Sequence, residues 1–210
     1  MRYVPHGATG RHKTVVYGPS SLAVLLTSLD EFRLPIEFML RAGWAVAMSV
    51  FEGTFHGGTG QRAPSPVATS LFRQVRAIRR VIDYLETRPD IDRDSFVFYG
   101  FGWGTVPEPV ALTTEPRLRV GILIQAGLPH PGSGELHPIN YLPRLQQSVL
   151  QFNGRYDTNF RYKDSARAFF EAPGSESKQH VVEPATHFAP NSVVIAETLA
   201  WLDQHLEETE

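Results

Sequence analysis

Cysteine is absent from the 210-residue chain, which excludes disulfides, thiolate metal sites and a cysteine nucleophile. Long apolar runs are also lacking, since no stretch approaches the ~20 residues of a membrane-spanning helix and the start has no apolar stretch of signal-peptide type. We therefore expect a cytoplasmic protein with no membrane partner. The chain also lacks an excess of positive or negative charge, because it has 20 Lys and Arg residues and 22 Asp and Glu residues. This balance gives no electrostatic reason to expect nucleic acid as a partner.

One basic cluster departs from this even distribution, at Arg73, Arg76, Arg79 and Arg80. It could form a binding patch for an anionic partner. Its helical spacing favours the simpler interpretation, a solvated face of a surface helix.

Hydrophobic residues make up 42% of the chain and charged residues 20%, which is typical of a folded globular protein. A chain of this length buries a substantial core within one domain. No repeat, low-complexity block or linker interrupts the sequence, so we predict a single domain over residues 1–210.

Strand-like and helix-like segments alternate along the chain. Short apolar runs predict strands, and apolar residues at helical intervals between Pro and Gly signals predict helices. The predicted strands are 14–18, 44–50, 95–101, 119–127, 148–154 and 178–183, and the predicted helices are 35–43, 69–88, 107–115, 162–172 and 192–206. This alternation predicts an α/β fold with a mainly parallel sheet between two helical layers, a three-layer αβα arrangement. Ligands of such sheets bind at the carboxyl ends of the strands.

The segment Gly100-Phe101-Gly102-Trp103-Gly104 follows the predicted strand 95–101. A nucleophile elbow requires small residues two positions before and two positions after the nucleophile, because the strand-to-helix turn is tight. Gly100 and Gly104 meet this requirement. A plain glycine-rich turn explains the same three glycines equally well.

An acid and a histidine follow the two last predicted strands. Asp157 lies in "GRYDTNF" after strand 148–154, and His187 lies in "PATHF" after strand 178–183. Single Asp and His residues in loops are usually solvated or structural. The order of elbow, acid and histidine, each just after a strand, is that of the α/β-hydrolases.

With these motifs the chain resembles α/β-hydrolases of the dienelactone hydrolase and prolyl-oligopeptidase-related group. It is similar to bacterial hydrolase domains that occur alone or fused behind serine/threonine kinase modules. The resemblance spans roughly residues 14–190 and rests on the stretches "TVVYGPSS", "AMSVFEGTF", "RRVIDYLETRPDIDRDSFVFYGFGWG", "PINYLPRL", "VLQFNGRYDTNF" and "HVVEPATHF". It implies hydrolysis of a small-molecule carboxylic ester or related acyl compound, without a cofactor.

The resemblance also implies roles for individual residues. Position 102 is that of the nucleophile, His187 is the general base, and Asp157 orients the histidine. The oxyanion would be bound by backbone N–H groups of Trp103 and of the segment Ser20–Ser21, which follows the first predicted strand.

Three departures from the family pattern affect this interpretation. Gly102 stands where the family has serine. Relatives usually carry additional strands before the first one predicted here, so we expect a fold abbreviated at the N-terminus. After the elbow, the run "TVPEP" replaces small or apolar residues. Pro107 suits a first helical turn and predicts a helix start near 106–107, away from Trp103, where Glu108 would oppose a nearby oxyanion.

Glycine supplies no hydroxyl for acyl transfer, so we expect the chain to be inactive or strongly impaired as a hydrolase. Three explanations of Gly102 stay open: a designed replacement of serine, a natural pseudo-hydrolase, and a water molecule activated by Asp157 and His187. The alternative function is a non-catalytic ligand-binding or interaction domain that uses the same cleft. Glycine also adopts the strained elbow geometry at little cost.

Two further residues are candidates for the substrate pocket. His56 follows the predicted strand 44–50, although a surface-loop histidine is the more common interpretation, and Trp103 adjoins the elbow. His130 and His137, with Glu135 between them, suggest a metal site, but their spacing matches no recognised ligand pattern. We therefore predict no metal.

Overall fold

The computed structural model describes residues 2–5, 9–26, 31, 35–48, 67–129 and 134–206. Seven strands form one sheet in the order β1-β3-β2-β4-β5-β6-β7. Only β1 runs antiparallel to its neighbour β3 among the described strands, and every other neighbouring pair is parallel. The strands are β1 Arg2–Tyr3, β2 His12–Gly18, β3 Ala45–Met48, β4 Ile91–Phe101, β5 Leu118–Ile124, β6 Ser148–Gly154 and β7 Lys178–Glu183.

Helices cover both faces of this sheet. They are α1 Glu37–Arg41, α2 Val67–Glu86, α3 Glu108–Thr114, α4 Arg167–Glu171 and α5 Asn191–His205. Val97 and Tyr99 of β4 pack in one apolar cluster with residues of α1 and α5. Phe96 and Phe98, whose side chains point the other way, pack in a second cluster with residues of α2, α3 and α4. Both sides of the strands are apolar because both are covered, and the predicted three-layer αβα fold is confirmed.

The order of the strands places a crevice at the carboxyl end of the sheet. From β2 the chain crosses to β3 on one side, and it then returns to β4 on the other side of β2. Such a reversal leaves a gap above the strand ends, where open α/β sheets bind ligands. Ser20 follows β2 and Gly102 follows β4, so both residues lie at this reversal.

Apart from shifts of a few residues at the ends of elements, the sequence predictions differ from the structure in three places. The strand β1 was not predicted, because two residues at a sheet edge carry no readable periodicity. The helix predicted over 162–172 is divided into a π-helical turn, Tyr162–Ala166, and α4. The helix predicted over 107–115 begins at Glu108 and is preceded by a 3₁₀ turn, Gly102–Thr105.

Two predictions about surfaces can be compared with the structure. The four arginines of the basic cluster are all exposed on α2, as expected for a solvated helix face. Within the described ranges, no helix has both the length and the apolar character needed to cross a membrane. His56 lies outside the described residues.

Candidate active site

The elbow begins where β4 ends. Gly102 is buried, has a left-handed backbone with φ of 54°, and starts the 3₁₀ turn Gly102–Thr105. The buried Thr105 hydroxyl donates a hydrogen bond to the Gly102 carbonyl oxygen at 2.7 Å, which closes the turn. A residue with a side chain pays a conformational penalty in this region of backbone space, whereas glycine does not.

The glycines that flank position 102 are required by close packing. A Cβ on Gly104 would lie 2.0 Å from the Gly18 carbonyl oxygen at the end of β2. A Cβ on Gly100 would lie 2.8 Å from a carboxyl oxygen of Glu108 and 3.0 Å from the Gly104 carbonyl oxygen. The elbow therefore lies directly against β2 and α3, as a tight strand-to-helix turn requires.

Position 102 itself has room for a side chain. A Cβ there would lie 3.5 Å from the Ser20 Cβ and 3.9 Å from His187 Nε2, both ordinary contacts. Steric contacts therefore do not require glycine at position 102, whereas they do require it at position 104. A serine at this position would place its hydroxyl beside the imidazole.

Asp157 and His187 form a hydrogen-bonded pair. His187 Nδ1 lies 2.8 Å from Asp157 Oδ2, and the Asp157 side chain is 0% exposed against 23% for the histidine. The other carboxylate oxygen, Oδ1, accepts backbone N–H groups of Asn159 at 2.7 Å and Phe160 at 3.1 Å. A carboxylate acts only as an acceptor, so His187 Nδ1 carries the proton in this pair. Its Nε2 is then free to accept a proton on the side that faces Gly102.

The loops that carry this pair are joined to each other through their backbones. Arg155 N–H donates to the Glu183 carbonyl at 2.8 Å, and Tyr156 N–H donates to the Ala185 carbonyl at 3.0 Å. A Cβ on Gly154 would lie 1.6 Å from the Thr186 carbonyl oxygen. The geometry of the pair is therefore set by backbone contacts between the ends of β6 and β7.

A buried polar network lies behind the acid loop. Asn153 Oδ1 accepts from His180 Nε2 at 2.9 Å and from Gln151 Nε2 at 2.7 Å, and Asn153 Nδ2 donates to the Ala126 carbonyl at 2.9 Å. Burial lowers the pKa of His180 to about 4, so this histidine is neutral at pH 7. Sequence reasoning missed the network. Its signal was the pair of polar residues at alternate positions of the otherwise apolar strand "SVLQFNG".

The structure brings two of the three predicted oxyanion residues next to position 102. Trp103 is the second residue of the 3₁₀ turn, whose first N–H groups have no partner within the turn. Ser20 faces Gly102 with its Cβ, and its hydroxyl accepts from Leu22 N–H at 3.2 Å, which caps the turn Ser21–Leu25. Ser21 is exposed at the start of that turn. Their roles as oxyanion donors stay predictions.

The expectation about Pro107 needs a refinement. The proline caps α3, which starts at Glu108, slightly later than predicted. The intervening residues form the 3₁₀ turn Gly102–Thr105, so Trp103 still lies near the start of a helical turn. The proline displaces the α-helix but does not remove helical N–H groups from the elbow.

The expectation about Glu108 was wrong. We expected a charged side chain opposing an oxyanion, but Glu108 is 0% exposed, and neither carboxyl oxygen has a hydrogen-bond partner. Its oxygens lie over the Cα positions of Gly100 and Gly121, on the α3 side of the sheet. Burial raises its pKa well above the ordinary value, because a charge without partners is costly in an apolar environment. Burial therefore favours the protonated, neutral form of this side chain.

A small cavity of about 80 Å³ lies beside the site. Phe101, which precedes Gly102, and Phe188, which follows His187, form two of its walls, and their rings stack at 6.3 Å. Trp103, which is half-buried, is not among the described residues of its lining, so its place in a substrate pocket stays a prediction.

His137 caps a 3₁₀ turn, where Nδ1 accepts from Ile139 N–H, and the described residues include no cluster of metal-ligating side chains.

Solved structures resemble this one closely. No family model and no curated protein matches the sequence. A cold-adapted esterase from an Arctic intertidal metagenomic library has a TM-score of 0.77 at 16% identity, over 98% of this chain and 87% of the esterase. Est1E from Butyrivibrio proteoclasticus, solved with ferulic acid bound, has a TM-score of 0.74 at 13% identity, over 99% of this chain and 95% of its own.

A Klebsiella pneumoniae protein assigned as a dienelactone hydrolase has a TM-score of 0.71 at 17% identity, over 97% of this chain and 91% of its own. Identities this low are informative about architecture and not about reaction. The chain has the α/β-hydrolase fold.

Proposed function

We propose that this protein descends from carboxylic-ester hydrolases and carries their acid–histidine pair at a site where Gly102 replaces the nucleophile. It is then inactive or strongly impaired as an ester hydrolase. One observation carries the proposal: His187 Nε2 lies 3.9 Å from the position of a Cβ on Gly102, while its Nδ1 is hydrogen-bonded to Asp157. This is the arrangement in which a histidine activates a hydroxyl.

The chemistry of the site follows from this geometry once a serine is present. The serine hydroxyl gives its proton to His187 Nε2 as its oxygen attacks the ester carbonyl carbon. Asp157 stabilises the imidazolium that results, which then protonates the departing alcohol. Water repeats the sequence to release the acid and restore the serine. The backbone N–H groups of Trp103 and of the Ser20–Ser21 segment would bind the oxyanion.

The alternative function is ligand binding without turnover. The observation in its favour is that the cavity beside Phe101 and Phe188 is present although the nucleophile is not. Under both functions we propose a small-molecule ester or acyl ligand, no cofactor, no nucleic acid or membrane partner, and a cytoplasmic location.

The test is to restore the hydroxyl. We expect Gly102→Ser to hydrolyse p-nitrophenyl acetate and butyrate, because position 102 has room for the side chain and a base stands beside it. Removal of a triad nucleophile costs about 10⁶ in turnover, and an imperfect oxyanion hole costs about 10²–10³. We therefore expect a gain of at least roughly 10³ over the parent protein. Turnover is measured at equal concentration for both proteins.

Two matched controls make this test specific. Gly102→Ala introduces the same Cβ and the same backbone strain without a hydroxyl, and it should stay as slow as the parent. Gly102→Ser combined with His187→Ala keeps the hydroxyl but removes its base. If the serine variant is folded and no faster than this double variant, the site is not that of a hydrolase, and saturable binding without turnover would support the alternative function.

A further inference from the structure

The lining of the cavity beside the site is mainly apolar and contains three polar side chains, those of Tyr99, Gln125 and Asn191. It lies on the α1 and α5 side of the sheet, and the described residues of its lining include no charged side chain. Burial raises the pKa of Tyr99, so the phenol in its wall is neutral as well. The main side chains around the cavity are Phe38, Tyr99, Phe101, Ile124, Gln125 and Phe188.

Gln125 is exceptional within this lining in three respects. It is 1% exposed, and its side-chain Oε1 is buried without a hydrogen-bond partner. Its backbone has φ of 58°, the only positive φ of a non-glycine residue in the described part of the chain. A hydrogen bond from its N–H to the Phe152 carbonyl at 2.8 Å holds it there, directly after β5.

An unpaired buried carbonyl and a strained backbone are both unfavourable. Their coincidence at one residue that lines a cavity points to a bound group that supplies the missing donor. The residue also lies at the carboxyl end of the sheet, where α/β folds bind ligands. An apolar side chain of similar size would fill the same position without the unpaired oxygen, so packing alone does not account for the amide.

We propose that this cavity binds a short aliphatic chain that carries a hydroxyl, which donates a hydrogen bond to Gln125 Oε1. The cavity of about 80 Å³ is smaller than a cavity of about 150 Å³ that holds a benzene molecule, so the chain is short. The described part of the lining supplies no countercharge, which disfavours an ammonium or a carboxylate because burial of an unpaired charge is costly.

The hydroxyl-bearing chain is the proposed ligand of the site described under the proposed function. Its role as part of a substrate rests on that proposed function, whereas its binding does not. Two walls of the cavity come from the immediate neighbours of Gly102 and His187. A chain seated in the cavity therefore places its attached ester toward these residues. The ligand class is that of esters whose short alkyl part ends in a hydroxyl.

The experiment compares two probes of matched size, 3-hydroxypropyl acetate and butyl acetate, which differ by a hydroxyl in place of a methyl group. Binding to the protein with its native Gly102 is followed by amide chemical shifts in NMR titrations, so no turnover is needed. We expect 3-hydroxypropyl acetate to bind about tenfold more tightly, since a site that hydrogen-bonds a hydroxyl disfavours the analogue that lacks it.

Two variants of Gln125 test the role of the amide. Gln125→Leu keeps the size and removes the acceptor, and we expect it to prefer butyl acetate. Gln125→Asn keeps an amide, is well suited to a left-handed backbone, and withdraws the oxygen from the cavity, so we expect the preference for the hydroxyl to disappear. Gln146→Leu, at an exposed position, is the control for a surface change and should bind like the parent.

Equal affinities of the parent for the two probes, or a preference that survives Gln125→Leu, would overturn the proposal. Its failure is distinguishable from failure of the proposed function. A hydroxyl preference in binding without turnover by Gly102→Ser contradicts only the hydrolase. Turnover by Gly102→Ser without discrimination between the two acetates contradicts only the hydroxyl pocket.

Discussion

The two sides of the candidate site differ in how they are built. On the acid–histidine side, at the ends of β6 and β7, every carboxylate oxygen of Asp157 has a partner, and the two loops are hydrogen-bonded to each other. On the elbow side, between β4 and α3, the backbone turn is well packed, but Gly102 has no side chain and the buried Glu108 carboxyl has no partner. The backbone of an active site can thus be complete where its chemistry is not.

The largest expected effect concerns the acid–histidine side. In the Gly102→Ser protein, we expect Asp157→Asn to remove most of the gained turnover, up to about 10⁴-fold, because an amide favours the wrong tautomer of His187. Asp164→Asn is the control, since Asp164 forms an exposed ion pair with Arg161 and should leave turnover unchanged. Ester hydrolysis by the three proteins provides the measurement. A loss of less than about tenfold would mean that the pair does not act as a catalytic unit.

The second prediction compares glycines on the two sides. We expect Gly154→Ala to destabilise the protein by about 3 kcal/mol or more, because its Cβ would collide with the Thr186 carbonyl oxygen and force the loops apart. Gly102→Ala should cost only about 1 kcal/mol, since it adds backbone strain without a collision. Urea denaturation of the parent and both variants measures the difference. Equal losses would contradict the contrast between a packing glycine and an empty nucleophile position.

The third prediction concerns Glu108 and depends on pH. Its pKa in the folded protein lies well above the ordinary value of about 4.5. Above pH 4.5 the folded state therefore keeps a proton that the unfolded chain releases. The free energy of unfolding should fall as the pH rises, by up to about 1.4 kcal/mol per pH unit, until the folded pKa is passed.

Glu108→Gln tests this expectation because glutamine has nearly the same shape and does not titrate. We expect the stability of this variant relative to the parent to increase between pH 4.5 and 8, as measured by urea denaturation at several pH values. His180, whose pKa is lowered to about 4, contributes to both proteins and cancels in the difference. Parallel pH profiles for parent and variant would show that Glu108 is not held as a neutral acid.

Local sequence signals were sufficient for most of the architecture. Short apolar runs predicted all strands except β1, and the helical periodicity of α2 and α5 was clear, because burial of both sheet faces imposes these patterns on the sequence. The order of Gly102, Asp157 and His187 after successive strands was equally readable. In a parallel sheet, residues that follow neighbouring strands meet at the same edge.

Other features depend on contacts between residues distant in sequence, and no local pattern contains them. From its position at the start of α3, the Glu108 side chain was expected to be charged. In the structure its carboxyl group is buried above Gly100 and Gly121, which lie on neighbouring strands. Only the tertiary structure shows that Gln125 Oε1 lacks a hydrogen-bond partner, because the cavity beside it is lined by residues from β5, α1 and α5. A residue's type and spacing indicate which element it belongs to, whereas its burial, charge state and partners follow from which elements the fold packs against it.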